Sequence, residues 1–345
     1  MRATDTTRSC KVSADLRFIG ISFFLAAFLA APSSNGHAAA SAWKPKKNVV
    51  LIAPAGPGGG NDKVARVIQK VFQDRNLVEA NVVVMNKPGG SGEVAWAFLN
   101  QYAGDGSYLA VAPNTLLTNH ITRDKALTYT DVTPVAVLAA EYNGFLVRRD
   151  SPIKSGRDLL EQLRKDPASV SIGLGLGPGA PSHVVLSMVI KAVGGDVRKA
   201  KLVSFKSAPD AISALLGGHV DMVVTNAANA TPFMQSGDVR VVASSSPRRL
   251  AGPYANVPTW REQGIDVVLV GWRAVIGPRG MSEDQVAFWD SVFAKLSKTE
   301  EWNKFLEDDL RENIYMGGKE SRDFMRDDYQ KLKAIFSELG LAAGR

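Results

Sequence analysis

The chain has 345 residues, with 41 lysines and arginines against 34 aspartates and glutamates, and its formal net charge is therefore +7. The basic residues are scattered rather than clustered, which is not the pattern of a nucleic-acid-binding protein. A chain of this length exceeds what one hydrophobic core commonly supports, so we expect two domains.

The first forty residues have the order of a secretory signal sequence. Basic residues from Arg2 to Arg17 precede the apolar run FIGISFFLAAFLAA, and small residues ending in Ala40 follow it. This order predicts a signal peptide over 1–40 that is cleaved near Ala40, and the apolar run is short for a membrane span. Because the single cysteine, Cys10, precedes the apolar run, we expect the exported chain to contain no disulfide bond.

Downstream, short β-branched runs alternate with amphipathic helical patterns such as KVARVIQKVF and SGRDLLEQLRK. This alternation predicts an α/β protein with mainly parallel sheets. The runs predicted as strands are 48–53, 81–86, 108–113, 135–140, 144–149, 169–174, 200–205, 220–225, 239–245 and 267–277.

The last part of the chain has a different character. From Ser282 onward the patterns are helical, and no strong strand is predicted among them. Helices at the end of an α/β chain usually pack back on an earlier sheet. We therefore expect a discontinuous first lobe from residues 41–142 and 268–345, and a second lobe from residues 143–267.

The stretch APAGPGGGND at 53–62, here called the glycine loop, lies between a predicted strand and a predicted helix. Free backbone N–H groups and the positive end of the helix dipole make such a turn an anion site. A P-loop would end in Gly-Lys-Ser or Gly-Lys-Thr, whereas this stretch continues GNDKV. A dinucleotide site would need an acidic residue at the end of the next strand, but Glu79 precedes that strand. Both nucleotide interpretations are therefore weak.

Hydrolase and metal motifs are missing from the sequence, which has no G-x-S-x-G, H-E-x-x-H or C-x-x-C pattern. The histidines of the exported chain, His120, His183 and His219, lie far apart in the sequence. We therefore predict no catalytic residue, no cofactor and no metal site.

Polar or glycine-rich turns follow several predicted strands, and open α/β sheets bind ligands at such strand ends. Asn114 and Thr115 follow the strand 108–113, and Asn226 follows 220–225. A second glycine-rich turn, GLGPGAPSH at 175–183, follows 169–174, with Ser182 as the expected helix cap. Each turn taken alone has the plainer interpretation of closing a tight bend. Together they indicate a cleft that suits a ligand with two or more carboxylates.

Eight motifs follow one another along the exported chain. They are PAGPGGGND-x-x-AR (54–66), NKPGGSGEVA (86–95), GSYLAVAPNT (106–115), TPVAVLA (133–139), SPIKSGRDLLEQL (151–163), VSFKSAPDAISALLGGHVDM (203–222), ANVPTWREQGID (255–266) and VGWRAVIGPRGMS (270–282). In this order the motifs resemble those of the substrate-binding proteins of tripartite tricarboxylate transporters, the Bug family. The resemblance covers nearly all of the exported chain.

The resemblance implies a periplasmic binding protein of type II, a Venus flytrap of two α/β lobes joined by two crossover segments. It further implies a monomer that binds a carboxylate through backbone amides and water, and delivers it to the membrane permease subunits of such a transporter. The residues that it assigns to the ligand are Pro57, Gly58, Gly59, Gly60, Asn61 and Asp62, with Gly177, Pro178, Gly179, Ala180, Pro181 and Ser182. The same fold also suits a sensor that signals to a membrane histidine kinase, and an enzyme is the third alternative.

The chain departs from the family pattern in ways that bear on ligand choice. Pro178-Gly179-Ala180 stands where many relatives have hydroxyl residues, and Lys206-Ser207 where many have Lys-Gly. Two motifs, GWRAVIGP and PGGG, look more like those of the citrate-binding branch of the family. This similarity favours a tricarboxylate as the ligand. Arg273 has two interpretations: a residue at the surface or between the lobes, or a bidentate partner of a third carboxylate. Lys206 likewise either caps its loop or meets the ligand.

Overall fold

The computed structural model describes residues 43–123, 125–174, 180–205 and 207–343. The predicted signal sequence, Gly177, Pro178 and Gly179 of the second glycine-rich turn, and Lys206 lie outside the described residues.

The ten predicted strands are all found, with small shifts at their ends, and one further strand follows them. The strands are β1 (Val49–Ala53), β2 (Val82–Asn86), β3 (Tyr108–Pro113), β4 (Thr133–Glu141), β5 (Asn143–Arg148), β6 (Ser171–Leu174), β7 (Lys201–Ser204), β8 (Met222–Asn226), β9 (Val239–Ser244), β10 (Gly271–Gly277) and β11 (Glu312–Met316). The α-helices are α1 (Gly60–Asp74), α2 (Glu93–Leu99), α3 (Thr115–Thr122), α4 (Gly156–Lys165), α5 (Pro181–Ala192), α6 (Ala208–Leu216), α7 (Ala227–Gln235), α8 (Glu283–Leu296), α9 (Glu300–Asp308) and α10 (Gly318–Glu338).

The strands form two sheets, in the orders β11-β4-β10-β3-β1-β2 and β7-β6-β8-β5-β9. Strands β1, β2 and β3 run parallel, as do β6, β7 and β8. However, β10 is antiparallel to β3 and β4, and β5 is antiparallel to β8 and β9. The expectation of mainly parallel sheets is therefore wrong. A strand that enters a sheet directly after crossing from the other one starts at the carboxyl edge, and so it runs against its neighbours.

Strand β11 corrects the expectation that no strand follows Ser282. Its sequence, ENIYM, is half exposed, and it pairs with β4 at the edge of the first sheet with an irregular register. Local sequence gives little signal for such a strand because its pairing partner lies about 170 residues earlier in the chain.

Helices cover both faces of the first sheet. Successive residues of β1 alternate between two hydrophobic clusters, with Leu51 on the side of α1, α8 and α9 and Ile52 on the opposite side. In α1 the buried residues Val64, Ile68 and Phe72 recur at helical spacing, which explains why this segment forms an amphipathic helix. This packing fixes the first turn of α1 at the carboxyl end of β1.

The two sheets are connected by two segments. The first is Tyr142 alone, between β4 and β5, and the second is the irregular stretch 245–270 between β9 and β10. Backbone N–H of Ser245 donates to the carbonyl of Asn143 at 2.9 Å, so the second segment is hydrogen-bonded to the residue that directly follows Tyr142. Glu312 of β11 accepts from the Tyr142 hydroxyl at 2.8 Å and pairs with Arg248 at 2.9 Å. The connection between the sheets is therefore stabilised from the first sheet.

Candidate functional site

The carboxyl edge of the first sheet brings together residues that are far apart in sequence. The glycine loop leaves the end of β1, and Asn114 follows the end of β3. In the strand register Arg273 lies opposite Pro113, while Gly271 lies opposite Glu141 at the end of β4. The predicted site residues of this lobe therefore share one edge, and that edge is also where the chain crosses to the second sheet.

The second sheet presents its carboxyl edge at the same crossings. Asn226, at the end of β8, pairs with Asn143, the first residue after Tyr142. The amide oxygen of Asn226 accepts from the backbone N–H of Ala228 at 2.9 Å and so caps α7. Asn226 thus lies at the crossing between the sheets, as the predicted site residues of the first lobe do.

The glycine loop delivers the chain to an uncapped helix. Gly58 has φ +79°, which favours glycine, whereas Gly59 has the ordinary extended values φ −68° and ψ 160°. Gly59 is the N-cap of the 15-residue helix α1, and no side chain among the described residues caps this end. The first-turn N–H groups have no intrahelical acceptor, so they are available to an anion.

Asp62 fixes the shape of the glycine loop from within. Its carboxylate is buried and accepts from the backbone N–H of Gly58 at 2.8 Å, from Arg66 Nε at 2.9 Å and from Asn86 Nδ2 at 2.7 Å. Burial alone would raise the pKa of Asp62, but the hydrogen bonds from Arg66, Asn86 and Gly58 hold that pKa below its usual value. This side chain is engaged by three protein donors, and its predicted contact with a ligand stays a prediction.

Three other predicted residues of this lobe differ in what they contact. Asn61 has a buried Oδ1 atom without a hydrogen-bond partner among the described residues. Asn114 is buried. Thr115 donates its hydroxyl to the carbonyl of Ser91 at 2.8 Å, and thereby holds the loop before α2, in which Ser91 has φ +56°. Asn61 therefore places at the start of α1 a buried oxygen that has no hydrogen-bond partner among the described residues.

The second glycine-rich turn ends in another uncapped helix. Ala180 is the N-cap of α5, with φ −65° and ψ 156°, and no side chain among the described residues caps it. Pro181 is the first helical residue and Ser182 lies buried in the first turn. The expectation that Ser182 caps this helix is therefore wrong, because proline at the first helical position starts the helix one residue earlier.

Arg273 lies in a buried ion-pair cluster, which consists of Arg273, Glu141, Arg311 and Asp309. Glu141 is shared: Oε1 is 2.8 Å from Arg273 Nη1, and Oε2 accepts from Arg311 Nε at 3.2 Å. Asp309 Oδ2 lies 2.8 Å from Arg311 Nη1. Burial lowers the pKa of Arg273, Glu141 opposes this, and Arg311 adds to it.

Sequence reasoning missed Glu141 and Arg311. Arg311 directly precedes β11, the strand that was not predicted, so nothing in the local sequence placed it at this edge. Recognising β11 as a partner of β4 would have brought Arg311 beside Glu141.

Within the ranges 43–123, 125–174, 180–205 and 207–343, no three His, Cys, Asp or Glu side chains are grouped so that they could hold a metal ion. None of the helices in those ranges has the length and apolar character needed to cross a membrane.

Known proteins match this chain over most of its length. The family model described as "Tripartite tricarboxylate transporter family receptor" matches residues 64–341. A UPF0065 protein from the gbd 5' region of Cupriavidus necator is 27% identical over 299 residues, covering 86% of this chain and 89% of the relative. BugT of Bordetella pertussis is 26% identical over 270 residues, covering 77% and 78%.

Solved structures show the same fold. A TctC solute-binding protein from Polaromonas, solved without ligand, has a TM-score of 0.73 at 25% identity and covers 85% of this chain and 99% of its own. MatC from Rhodopseudomonas palustris, with bound malate, has a TM-score of 0.69 at 21% identity and covers 84% and 99%. Another R. palustris protein, solved with adipate, has a TM-score of 0.73 at 22% identity and covers 86% and 99%. The predicted periplasmic-binding-protein fold of two α/β lobes is confirmed.

Proposed function

Because the chain belongs to the receptor family of tripartite tricarboxylate transporters, we propose that it captures a small organic di- or tricarboxylate in the periplasm and delivers it to the membrane permease of such a transporter. The observation that carries the proposal is the uncapped first turn of α1, which the glycine loop brings to the sheet edge beside the buried ion-pair cluster.

An anion at this position meets several favourable groups at once. The free amides of the first turn donate hydrogen bonds, and the helix dipole adds positive potential. Gly58, with φ +79°, gives the backbone a turn that other residues rarely adopt. The residues proposed to contact the ligand remain those named from the sequence.

A ligand with two carboxylates has a reason to contact both lobes. The start of α5 is uncapped like that of α1, and it lies at the edge of the second sheet. A dicarboxylate that bridges the two helix starts binds the closed state more tightly than the open one, and this difference drives closure. Charge-assisted hydrogen bonds contribute roughly 1.5–3 kcal/mol each, so a few of them support a micromolar Kd, about −8 kcal/mol.

The bound molecules of the structural relatives support a carboxylate. Malate and adipate, the ligands of the two R. palustris proteins, both carry two carboxylates. The narrower proposal of a tricarboxylate, in the manner of the citrate-binding branch, rests on the GWRAVIGP and PGGG motifs. We also propose that the chain is exported and cleaved near Ala40. The boundaries between its two lobes are proposed to lie at 142/143 and 267/268.

The experiment is a thermal-shift screen of the chain beginning at Ser41 against malate, adipate and citrate. A ligand that binds only the folded state at about 1,000 times its Kd stabilises the fold by roughly 4 kcal/mol, so the melting temperature rises. Hexanol at the same concentration is the uncharged control. The absence of a shift with all three carboxylates would refute the proposal. Malate uptake by cells with and without the gene tests the delivery step, and the intact mass of the exported protein tests cleavage.

A further inference from the structure

The guanidinium of Arg311 is buried, but only some of its N–H donors have an acceptor among the described residues. Its side chain is 6% exposed, and its one hydrogen bond to a described residue runs from Nε to Glu141 at 3.2 Å. Nη1 lies close to Asp309 without forming a hydrogen bond, and it is buried. An arginine side chain carries five N–H donors in a planar fork. Because Nε bonds Glu141 and Nη1 forms an ion pair with Asp309, the two donors of Nη2 are left without an acceptor among the described residues.

The unmatched end of this guanidinium points at the first turn of α1. A Cβ atom added to Gly60 would lie 4.0 Å from Arg311 Nη2, and apart from the adjoining backbone of the chain no other described atom would lie within that distance. Gly60 is the first residue of α1, and it follows Gly59, which occupies the N-cap position without a capping side chain. The start of the helix and the guanidinium therefore border the same open space.

This space has the chemistry of a carboxylate subsite. A carboxylate there accepts from the helix amides and from the guanidinium, and the planar fork suits its two oxygens. Glu141 and Asp309 hold Arg311 in place through Nε and Nη1 and leave Nη2 without a hydrogen bond to the described residues. Arg273 uses Nη1 for both Glu141 and the carbonyl of Trp272, and its buried Nε has no hydrogen-bond partner among the described residues.

We infer that Arg311 binds one carboxylate of the ligand against the first turn of α1. This inference rests on the proposed function and narrows it, because Arg311 then selects ligands whose carboxylate reaches the α1 end of the site. It also assigns ligand binding to a residue from the segment between α9 and β11.

A neighbouring pocket offers Arg311 a different role. A cavity of about 340 Å³ between residues 248–251 and the α9–β11 segment is lined by Arg248, Glu307 and Glu312 as well as Arg311. A carboxylate bound in this cavity would also depend on Arg248, which pairs with Glu312 and is largely exposed. Arg248 is therefore a matched control that separates the two locations.

The experiment titrates malate and adipate by calorimetry into the chain beginning at Ser41 and into three variants. Arg311→Gln removes the charge, Gly60→Ala puts a methyl group into the proposed subsite, and Arg248→Gln is the control. We expect about 10-fold or greater weakening for Arg311→Gln and for Gly60→Ala, and little change for Arg248→Gln. Circular dichroism verifies folding. Gly60→Ala leaves the ion-pair cluster intact, so it remains informative should Arg311→Gln fail to fold.

The double variant Gly60→Ala/Arg311→Gln identifies a shared carboxylate. If both residues act on the same group, the double variant binds no more weakly than either single one, whereas independent effects multiply. Unchanged affinity in Gly60→Ala, multiplying losses, or an equal loss in Arg248→Gln overturns the inference and leaves the proposed function standing. Failure of the unaltered protein to bind malate, adipate and citrate overturns both.

Discussion

Replacing Asp62 with alanine should destabilise the fold and weaken ligand binding together. The variant loses three hydrogen bonds to the buried carboxylate, and the backbone N–H of the exposed Gly58 and the amide of the half-buried Asn86 lose an acceptor. A hydrogen bond to a charged acceptor contributes about 1.5–3 kcal/mol, and its loss costs less where the donor can turn to water, as at Gly58. Arg66 is half exposed and returns to water, so it adds little. We expect the free energy of unfolding to fall by about 2–4 kcal/mol, and binding to fall because Gly58 is no longer held at positive φ.

Urea unfolding at pH 7 measures the stability, and calorimetric titration with malate measures the binding. Asp74→Ala is the matched control, since Asp74 lies on the same helix in an exposed pair with Lys70. Such a pair contributes about 0.5 kcal/mol or less. A loss in Asp62→Ala no larger than in Asp74→Ala would refute the reasoning that Asp62 fastens the glycine loop.

The same side chain predicts a pH dependence. Because the fold lowers the pKa of Asp62, its stabilisation is fully present above the unfolded carboxyl pKa of about 3.9 and is lost as the pH falls through the folded value. The difference in unfolding free energy between the unaltered protein and Asp62→Ala should therefore shrink progressively below pH ~4. A difference that stays constant under acid would mean that the ionised carboxylate is not its source.

Three further predictions concern other parts of the molecule. Ser155→Ala removes the capping box with Asp158 at the start of α4 and should cost about 1 kcal/mol of unfolding free energy in urea; no loss would show that the cap is dispensable. Burial raises the pKa of Asp328 although the Trp272 indole donates a hydrogen bond to its carboxylate. The ionised carboxylate therefore lowers the free energy of unfolding at pH values above that pKa. Asp328→Asn should be more stable than the unaltered protein at pH 7 and should lose this advantage in acid. Arg273→Lys should weaken the binding of citrate by several-fold and leave the binding of malate nearly unchanged in paired titrations. Equal losses of affinity for the two ligands would mean that Arg273 does not select a tricarboxylate and only pairs with Glu141.

The sequence by itself determined the features that depend on neighbours along the chain. Alternating β-branched runs and amphipathic patterns located ten strands because side-chain periodicity is a local property. The glycine loop was evident as a turn into a helix, since glycines followed by a helical pattern specify that geometry over ten residues. The end of the second glycine-rich turn depended on the structure: the N-cap position of α5 is Ala180, whose side chain offers no cap, rather than Ser182.

Only the tertiary structure decided which distant residues meet. Strand β11 exists because β4 offers it a free edge, and this brings Arg311 to Glu141, 170 residues away, and within 4.0 Å of the Cβ position of Gly60. The antiparallel strands β5 and β10 follow from the two crossings between the sheets. Such contacts depend on how packed elements are arranged in space, and the free energy of that arrangement is shared over the whole core rather than encoded in any one segment.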